Sequence, residues 1–490
     1  MTWITEHWLV LMFLLAYTAM LIHHAVVGHR STKGMTDYYV GGRSMGGIAI
    51  GISFFATYSS TNSFVGFSGQ AYTYGAPWLL LAVCAVGFSV IAWIWIAPRL
   101  RVVTEKLNSV TLPDYIGFRY GSKAARVTSS AIVIFASFLY MTAVFKGIGN
   151  LLEVFLDVRY ELAIGIVFVI VMMYTTVGGF ISVVKTDAIQ GIVMIFAGFL
   201  LFAGTLKAAG GFGALEVVRT TPATSNLFSW NAAMPFPLLL GIMVAGTMKF
   251  IVEPRQLSRF YALKDEKATR IGMWVSTLSF LVVYTMLVPI GLFARRIFPD
   301  GITDTDLVVP QLLGNSDAFP PIVAAFLLVA MVAAAMSSLD SVLLVMGSTC
   351  ARDIIGTLHT NATDQFTLKS TKRLVALFAF ITALIALRPP GGIVALTAFS
   401  GSLYAACFLP SVVLGLYWKE GNGKAAMTSF ILGLATLLLW PQLPFADLMH
   451  RVFPAMFFSM AGYTAMAMAA ERYSDDTVAA LFANDKGVHA

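Results

Sequence analysis

The stretch Gly46-Gly47-Ile48-Ala49-Ile50-Gly51-Ile52-Ser53-Phe54-Phe55-Ala56-Thr57-Tyr58-Ser59-Ser60-Thr61-Asn62-Ser63-Phe64-Val65-Gly66-Phe67-Ser68-Gly69 is long enough to cross a bilayer. Its middle, Thr57 to Ser63, carries small hydroxyl residues where a spanning helix ordinarily carries Leu, Val and Phe. Two readings follow. In one, the helix is broken at mid-membrane and lines a site, where its freed carbonyls hold a cation, because irregular backbone is tolerated at that depth only beside protein or a watery cavity. In the other, the helix is continuous and the hydroxyls bond back to their own backbone or fasten neighbouring helices. So polar a middle favours the broken helix.

The rest of the chain is of the same kind. With 490 residues, 58% hydrophobic and 12% charged, and a mean hydropathy of +0.80, it has too little polar surface for a soluble protein and reads as an all-α polytopic membrane protein. The net charge of +7 does not indicate nucleic acid, because Lys and Arg occur in short clusters between apolar runs. Cys84, Cys350 and Cys407 have no paired spacing, so neither a disulfide framework nor a metal site is indicated. The first apolar run, preceded by Thr2-Trp3-Ile4-Thr5-Glu6 without a basic region, reads as a retained anchor.

Thirteen apolar runs are expected to cross: 8–27, 46–74, 76–98, 126–149, 161–179, 184–209, 235–252, 271–294, 321–349, 374–388, 391–416, 424–441 and 452–471. With the N-terminus outside and the C-terminus cytoplasmic, 23 of the 32 basic residues fall at the inner side, among them Lys33, Arg255, Arg259, Arg472 and Lys486, and seven at the outer side. So uneven a split supports an odd number of spans and that orientation in a cell membrane. The glycosylation-like Asn361-Ala362-Thr363 then lies inside and is disregarded.

Transporters are often built from two halves of opposite orientation. Five spans over 46–209 and five over 235–416 have that relation, flanked by a first helix and inner loop at 1–45, an outer loop at 210–234, and two peripheral helices with a tail at 417–490. The broken span 46–74 then corresponds to 235–252, which is short, opens with Pro235 and Pro237, and carries Gly241 and Gly246. This pairing places a binding site at the interface of the halves.

Ala333-Ala334-Ala335-Met336-Ser337-Ser338-Leu339-Asp340-Ser341 is the second informative stretch. Small residues permit close helix packing, and the serines offer hydroxyl oxygens on adjoining faces. Asp340 adds a carboxylate deep in a span, which either faces an ion or proton path or makes a structural bond. Asp187 is either a cation ligand or a helix-start carboxylate. Lys146 either presents its ammonium to a substrate carboxylate or pairs with an internal acid, and Lys249 either contacts substrate, gates, or snorkels to the interface.

Several motifs resemble the sodium:solute symporter family. They are Asp37-Tyr38-Tyr39-Val40-Gly41-Gly42-Arg43-Ser44-Met45-Gly46-Gly47, the hydroxyl-rich span after it, Leu112-Pro113-Asp114-Tyr115, Tyr174-Thr175-Thr176-Val177-Gly178-Gly179-Phe180 with Thr186-Asp187-Ala188-Ile189-Gln190, and Ala334-Ala335-Met336-Ser337-Ser338. They occur in the family's order over about 36–420. The resemblance implies the LeuT-type fold of two inverted five-helix repeats. It implies a principal sodium site made of the carbonyls of Ala56, Ser59 and Ala334 and the hydroxyls of Ser337 and Ser338. A hard cation prefers such oxygens. A second sodium, as in some members, would use Asp187, Asp340 and Ser341. Gly42-Arg43-Ser44-Met45-Gly46-Gly47, Gly401-Ser402-Leu403-Tyr404 and Leu414-Gly415-Leu416-Tyr417-Trp418 look closer to the pantothenate and monocarboxylate branches than to the sugar branch. Candidate substrate contacts are Thr57, Tyr58, Thr61, Tyr140, Lys146, Lys249, Ser400 and Tyr404.

The expected function is therefore a sodium-coupled importer of a small organic solute, a carboxylate such as pantothenate or a monocarboxylate, working by alternating access without covalent chemistry. A membrane-embedded sensor, a proton-coupled carrier using Asp340 and, more weakly, a membrane enzyme are the rivals. One sodium ion moving down a tenfold gradient and 100 mV releases about 3.7 kcal/mol, equivalent to about 500-fold accumulation of a neutral solute. For a monovalent anion the voltage contribution cancels and about tenfold remains. Oligomeric state is left open.

Overall fold

A computed structural model describes residues 2–31, 34–230, 234–359, 363–471, 473 and 475–483. Lys33, Asn361, Ala362, Arg472 and Lys486 lie outside them. In chain order the elements that matter are α1 (Thr2–Ser31), α2 (Gly47–Tyr58), α3 (Phe67–Tyr74), α4 (Ala76–Lys106), α5 (Leu112–Tyr120), α6 (Lys123–Leu156), α7 (Tyr160–Ala209), α8 (Phe236–Thr247), α9 (Pro254–Ala262), α10 (Glu266–Ile297), α11 (Pro321–Leu358), α12 (Asp364–Ala386), α13 (Ile393–Tyr417), α14 (Gly423–Leu439) and α15 (Val452–Ala469). Ten helices among the described residues are long and apolar enough to cross a membrane, and Gly47–Tyr58 and Tyr160–Thr175 are shorter apolar helices.

The hydroxyl-rich span is broken. Helix α2 stops at Tyr58, Ser59 is extended (φ −72°, ψ 117°), and a wide π-type turn over Asn62–Gly66 leads into α3. The side chains that interrupt the helix also satisfy the amides it frees: Ser60 N donates to Ser63 Oγ at 3.4 Å and Asn62 N to Ser60 Oγ at 3.2 Å. Serine competes for its own backbone in this way, which is why a run of hydroxyls can end a helix away from water.

The segment expected over 235–252 runs further than that. Helix α8 continues through a turn at Lys249–Val252, Glu253 is extended (φ −79°, ψ 126°), and α9 carries on to Ala262. Pro254 explains both features: its ring excludes helical geometry at Glu253 and suits the first turn of the helix that follows. A third break, inside α7, sits at Gly179, whose φ of 65° and ψ of −175° suit glycine alone. It divides Tyr160–Ala209 near the boundary read from the sequence.

Aromatic side chains clamp the two broken helices together. Phe54 of α2 stacks on Phe250 and Phe260 at 5.5 and 5.2 Å, and Tyr58 stacks on Phe250 at 4.2 Å. Helix α2 also runs close along α10: a Cβ on Gly51 would stand 2.7 Å from the Gly272 carbonyl oxygen. The polar breaks are thereby enclosed, while large apolar side chains such as Leu15, Phe196, Phe199, Trp274 and Phe457 face outward, as a lipid-facing surface requires.

Candidate functional site

Helix α11 brings its serine pair to the end of α2. Ser337 Oγ lies 2.9 Å from both the Ala56 and the Ala334 carbonyl oxygens, and Ser338 Oγ donates to the Thr57 carbonyl at 3.1 Å. The Ala56 and Thr57 carbonyls belong to the last turn of α2, where amide donors run out and the negative end of the helix dipole gathers. Ser59, at the extended break, is the adjoining residue and is buried. The Ala56 and Ala334 carbonyls thus meet at Ser337 Oγ in one cluster of neutral oxygens, with Ser338 and Ser59 beside it. Such a set suits a hard monovalent cation, which the hydroxyls can face by turning their lone pairs inward.

A second cluster lies one helical turn further along α11. Asp187 Oδ2, on α7, accepts from Ser53 Oγ at 2.6 Å and Thr57 Oγ1 at 3.1 Å, and from Arg259 Nη2 of α9 at 2.8 Å. The same Arg259 nitrogen donates to Ser341 Oγ at 2.6 Å. Asp340 does not join this group. Its Oδ1 accepts from Thr175 at 2.8 Å, because adjacent residues of a helix point about 100° apart.

Beside the break, Tyr58, Asn62, Trp78, Tyr140, Lys249 and Arg255 help line a cavity. Arg255 Nε donates to Glu253 Oε1 and its Nη1 to the Thr57 carbonyl, each at 2.7 Å, and its guanidinium lies 3.9 Å from the centre of the Tyr140 ring. Arg255 Nη2, Glu253 Oε2 and Asn62 Oδ1 are buried without a hydrogen-bond partner. Glu253 is committed to Arg255, and the Lys249 ammonium lies 4.6 Å from the centre of the Tyr140 ring. Two basic side chains, Lys249 and Arg255, therefore line the cavity, and the second of them is paired with Glu253.

The other residues singled out in the sequence hydrogen-bond between elements. Lys146 Nζ bonds Asp306 Oδ2 at 2.7 Å, and the same oxygen accepts from Ile393 N at 3.2 Å, tying α6 to the start of α13. Ser400 Oγ donates to the Ala136 carbonyl at 2.8 Å and the Tyr404 hydroxyl meets Ser137 Oγ at 2.9 Å, both binding α13 to α6. Thr61 Oγ1 lies 3.5 Å from the Val144 carbonyl, while the Tyr58 hydroxyl donates to Gly246 O at 3.1 Å and that of Tyr140 to Ser338 Oγ at 3.3 Å. Sequence reasoning counted Arg255 and Arg259 only as inner-side charges and passed over Glu253. The signal was Pro254, which starts a new half-helix and draws its charges into the core.

The profile of the Sodium:solute symporter family matches residues 38–433. The chain belongs to that family. The symporter is 31% identical to a sodium/pantothenate symporter of Haemophilus influenzae, over 95% of this chain and 97% of the relative. It is 30% identical to the high-affinity proline transporter PutP of Bacillus subtilis, over 88% and 92%. A Na+-coupled sialic acid symporter solved in a substrate-bound outward-open state superposes with a TM-score of 0.81 at 18% identity, covering 95% of this chain and 99% of that one. The fold is accordingly of the LeuT type, all-α with inverted five-helix repeats, and the symporter is a transporter rather than an enzyme.

Proposed function

We propose that this symporter imports a small carboxylate together with sodium by alternating access between repeats at 46–209 and 235–416, in a chain of thirteen crossings with its N-terminus outside. The observation that carries the reading is the central cavity, where Lys249 and Arg255 outnumber Glu253 a few residues from the oxygen cluster of Ala56 and Ser337. A surplus positive charge in a dry site attracts a carboxylate strongly and disfavours a solute whose ammonium cancels it. That favours pantothenate or a monocarboxylate over zwitterionic proline, although relatives of both kinds are similar to the chain. The remaining buried acceptors, Asn62 Oδ1 and Glu253 Oε2, suit hydroxyl or amide groups on the same solute.

Sodium in the Ala56, Ser59, Ala334, Ser337 and Ser338 set holds α2 against α11, and the solute bridges α2 to α8. Loading both therefore favours one arrangement of the two repeats, and ion and solute assist each other's binding by the same factor. The test is uptake of radiolabelled pantothenate, lactate and proline into proteoliposomes with and without an inward sodium gradient. Sodium-driven uptake of a carboxylate, with proline at least tenfold weaker, is expected. Preference for proline overturns the substrate class, and uptake that follows pH and ignores sodium transfers the coupling role to Asp340, a buried carboxylate whose Oδ1 accepts from Thr175.

A further inference from the structure

The Asp187 cluster has the makings of a cation site, and it already holds a cation. Its oxygens are those of Asp187, Ser341, Ser53 and Thr57, three of them on α2 and α7 and one on α11. Arg259 reaches it from α9, the half-helix beyond the Glu253 break, with its side chain 1% exposed and that of Asp187 fully buried. Beyond the two Nη2 contacts, Nε is 3.2 Å from Ser53 Oγ, and Nη1 is 3.1 Å from both Ser258 Oγ and the Arg255 carbonyl. Asp187 Oδ1 is buried with no partner, so the carboxylate retains binding capacity aimed into the core. A cavity lined by Val110, Thr111, Pro254 and Ser258 reaches Arg259 and Ser341.

We propose that Arg259 is a tethered substitute for a second coupling ion. Its guanidinium neutralises Asp187 and occupies the oxygens that would otherwise surround a sodium ion, so this symporter binds one sodium per cycle, at Ala56 and Ser337. A carboxylate this deep requires a partner charge, and an arginine on the same chain supplies it at a concentration no dissolved ion matches. The arginine also stands on a half-helix hinged at Glu253. Movement of α9 withdraws the guanidinium from Asp187 without releasing it to solution, so the cycle has an internal cation that docks and undocks but is never consumed. The inference rests on the sodium-coupled reading above and concerns the number of ions.

Equilibrium binding of radioactive sodium to the purified full-length chain tests it. The wild type is expected to bind one ion per chain with a Hill coefficient of 1, and Arg259→Ala to bind two. Methylguanidinium, which restores the missing group, should displace the second ion from Arg259→Ala and leave the first in place, a response that a merely structural arginine does not produce. Two ions in the wild type, or a folded Arg259→Ala that still binds one, overturns the inference. No sodium in the wild type overturns the sodium-coupled reading instead. Where Arg259→Ala does not fold unaided, its melting transition should return with either sodium or methylguanidinium, and recovery with neither cation also overturns the inference.

Discussion

Lys146 and Lys249 are both lysines within apolar helices, and their neighbours separate their tasks. Lys146 has a carboxylate at 2.7 Å, and removing it strands Asp306 in a buried position. Lys146→Gln should therefore cost about 3 kcal/mol of stability, seen as a lowered melting temperature in detergent, with a KM for solute within about twofold of wild type; the double variant with Asp306→Asn should recover part of the loss. Lys249 has an aromatic face and no committed carboxylate. Its loss removes a charge-assisted bond to the solute, and Lys249→Gln should raise the KM for a carboxylate by about 10- to 100-fold, from a bond worth about 1.5–3 kcal/mol. Ser337 stands between two carbonyls. Ser337→Ala should raise the sodium concentration for half-maximal uptake at least tenfold, an effect of about 1.4 kcal/mol.

The helix breaks hold the site open, and each has its own local cause. Hydroxyls that capture freed amides end α2, a proline ends the turn after α8, and a glycine in a conformation closed to other residues divides α7. The last case is the simplest to disturb. A Cβ on Gly179 meets both an unfavourable φ and the Tyr38 ring at 2.7 Å. Gly179→Ala should destabilise the protein by about 1–3 kcal/mol, and Tyr38→Leu in the same chain should relieve the collision while leaving the backbone strain. A thermal-unfolding comparison of the wild type and these two variants separates the two contributions. Substitution of Pro254 by Ala acts on the other repeat: it lets Glu253 become helical and should straighten α8 into α9, drawing Arg255 from the cavity and Arg259 from Asp187. Lost sodium-dependent uptake in a protein that still folds is the expected result.

For the molecule as a whole, the count of ions decides what the gradient can do. One sodium carried with a monovalent anion moves no net charge, and Arg259 moves within the protein rather than across the membrane. Imposing 100 mV on proteoliposomes should then change steady-state accumulation less than twofold, whereas a second sodium would make the change about 50-fold. Potassium-diffusion potentials set with valinomycin provide the measurement. The outward apolar side chains and the inward collection of polar breaks belong to this same level, since both follow from packing apolar helices around one polar interface.

Much of this was legible in the chain. The apolar runs, the basic clusters, the hydroxyl run at Thr57 to Ser63 and the serine pair at Ser337 and Ser338 depend on composition and on neighbours within a turn or two. Those short-range rules determined that the protein is a helical membrane protein and that its span over 46–74 is interrupted. Which charge meets which acid is another matter. Asp187 and Arg259 are 72 residues apart and Lys146 and Asp306 are 160 apart, and several partners were compatible with each before the helices were packed. Only the tertiary structure decided that Lys146 pairs with Asp306, that Asp340 stands apart from Asp187, and that two arginines beyond a proline enter the core. The physical reason is range: a helix ends because of its own residues, but a buried charge is paired by whichever element the fold sets against it.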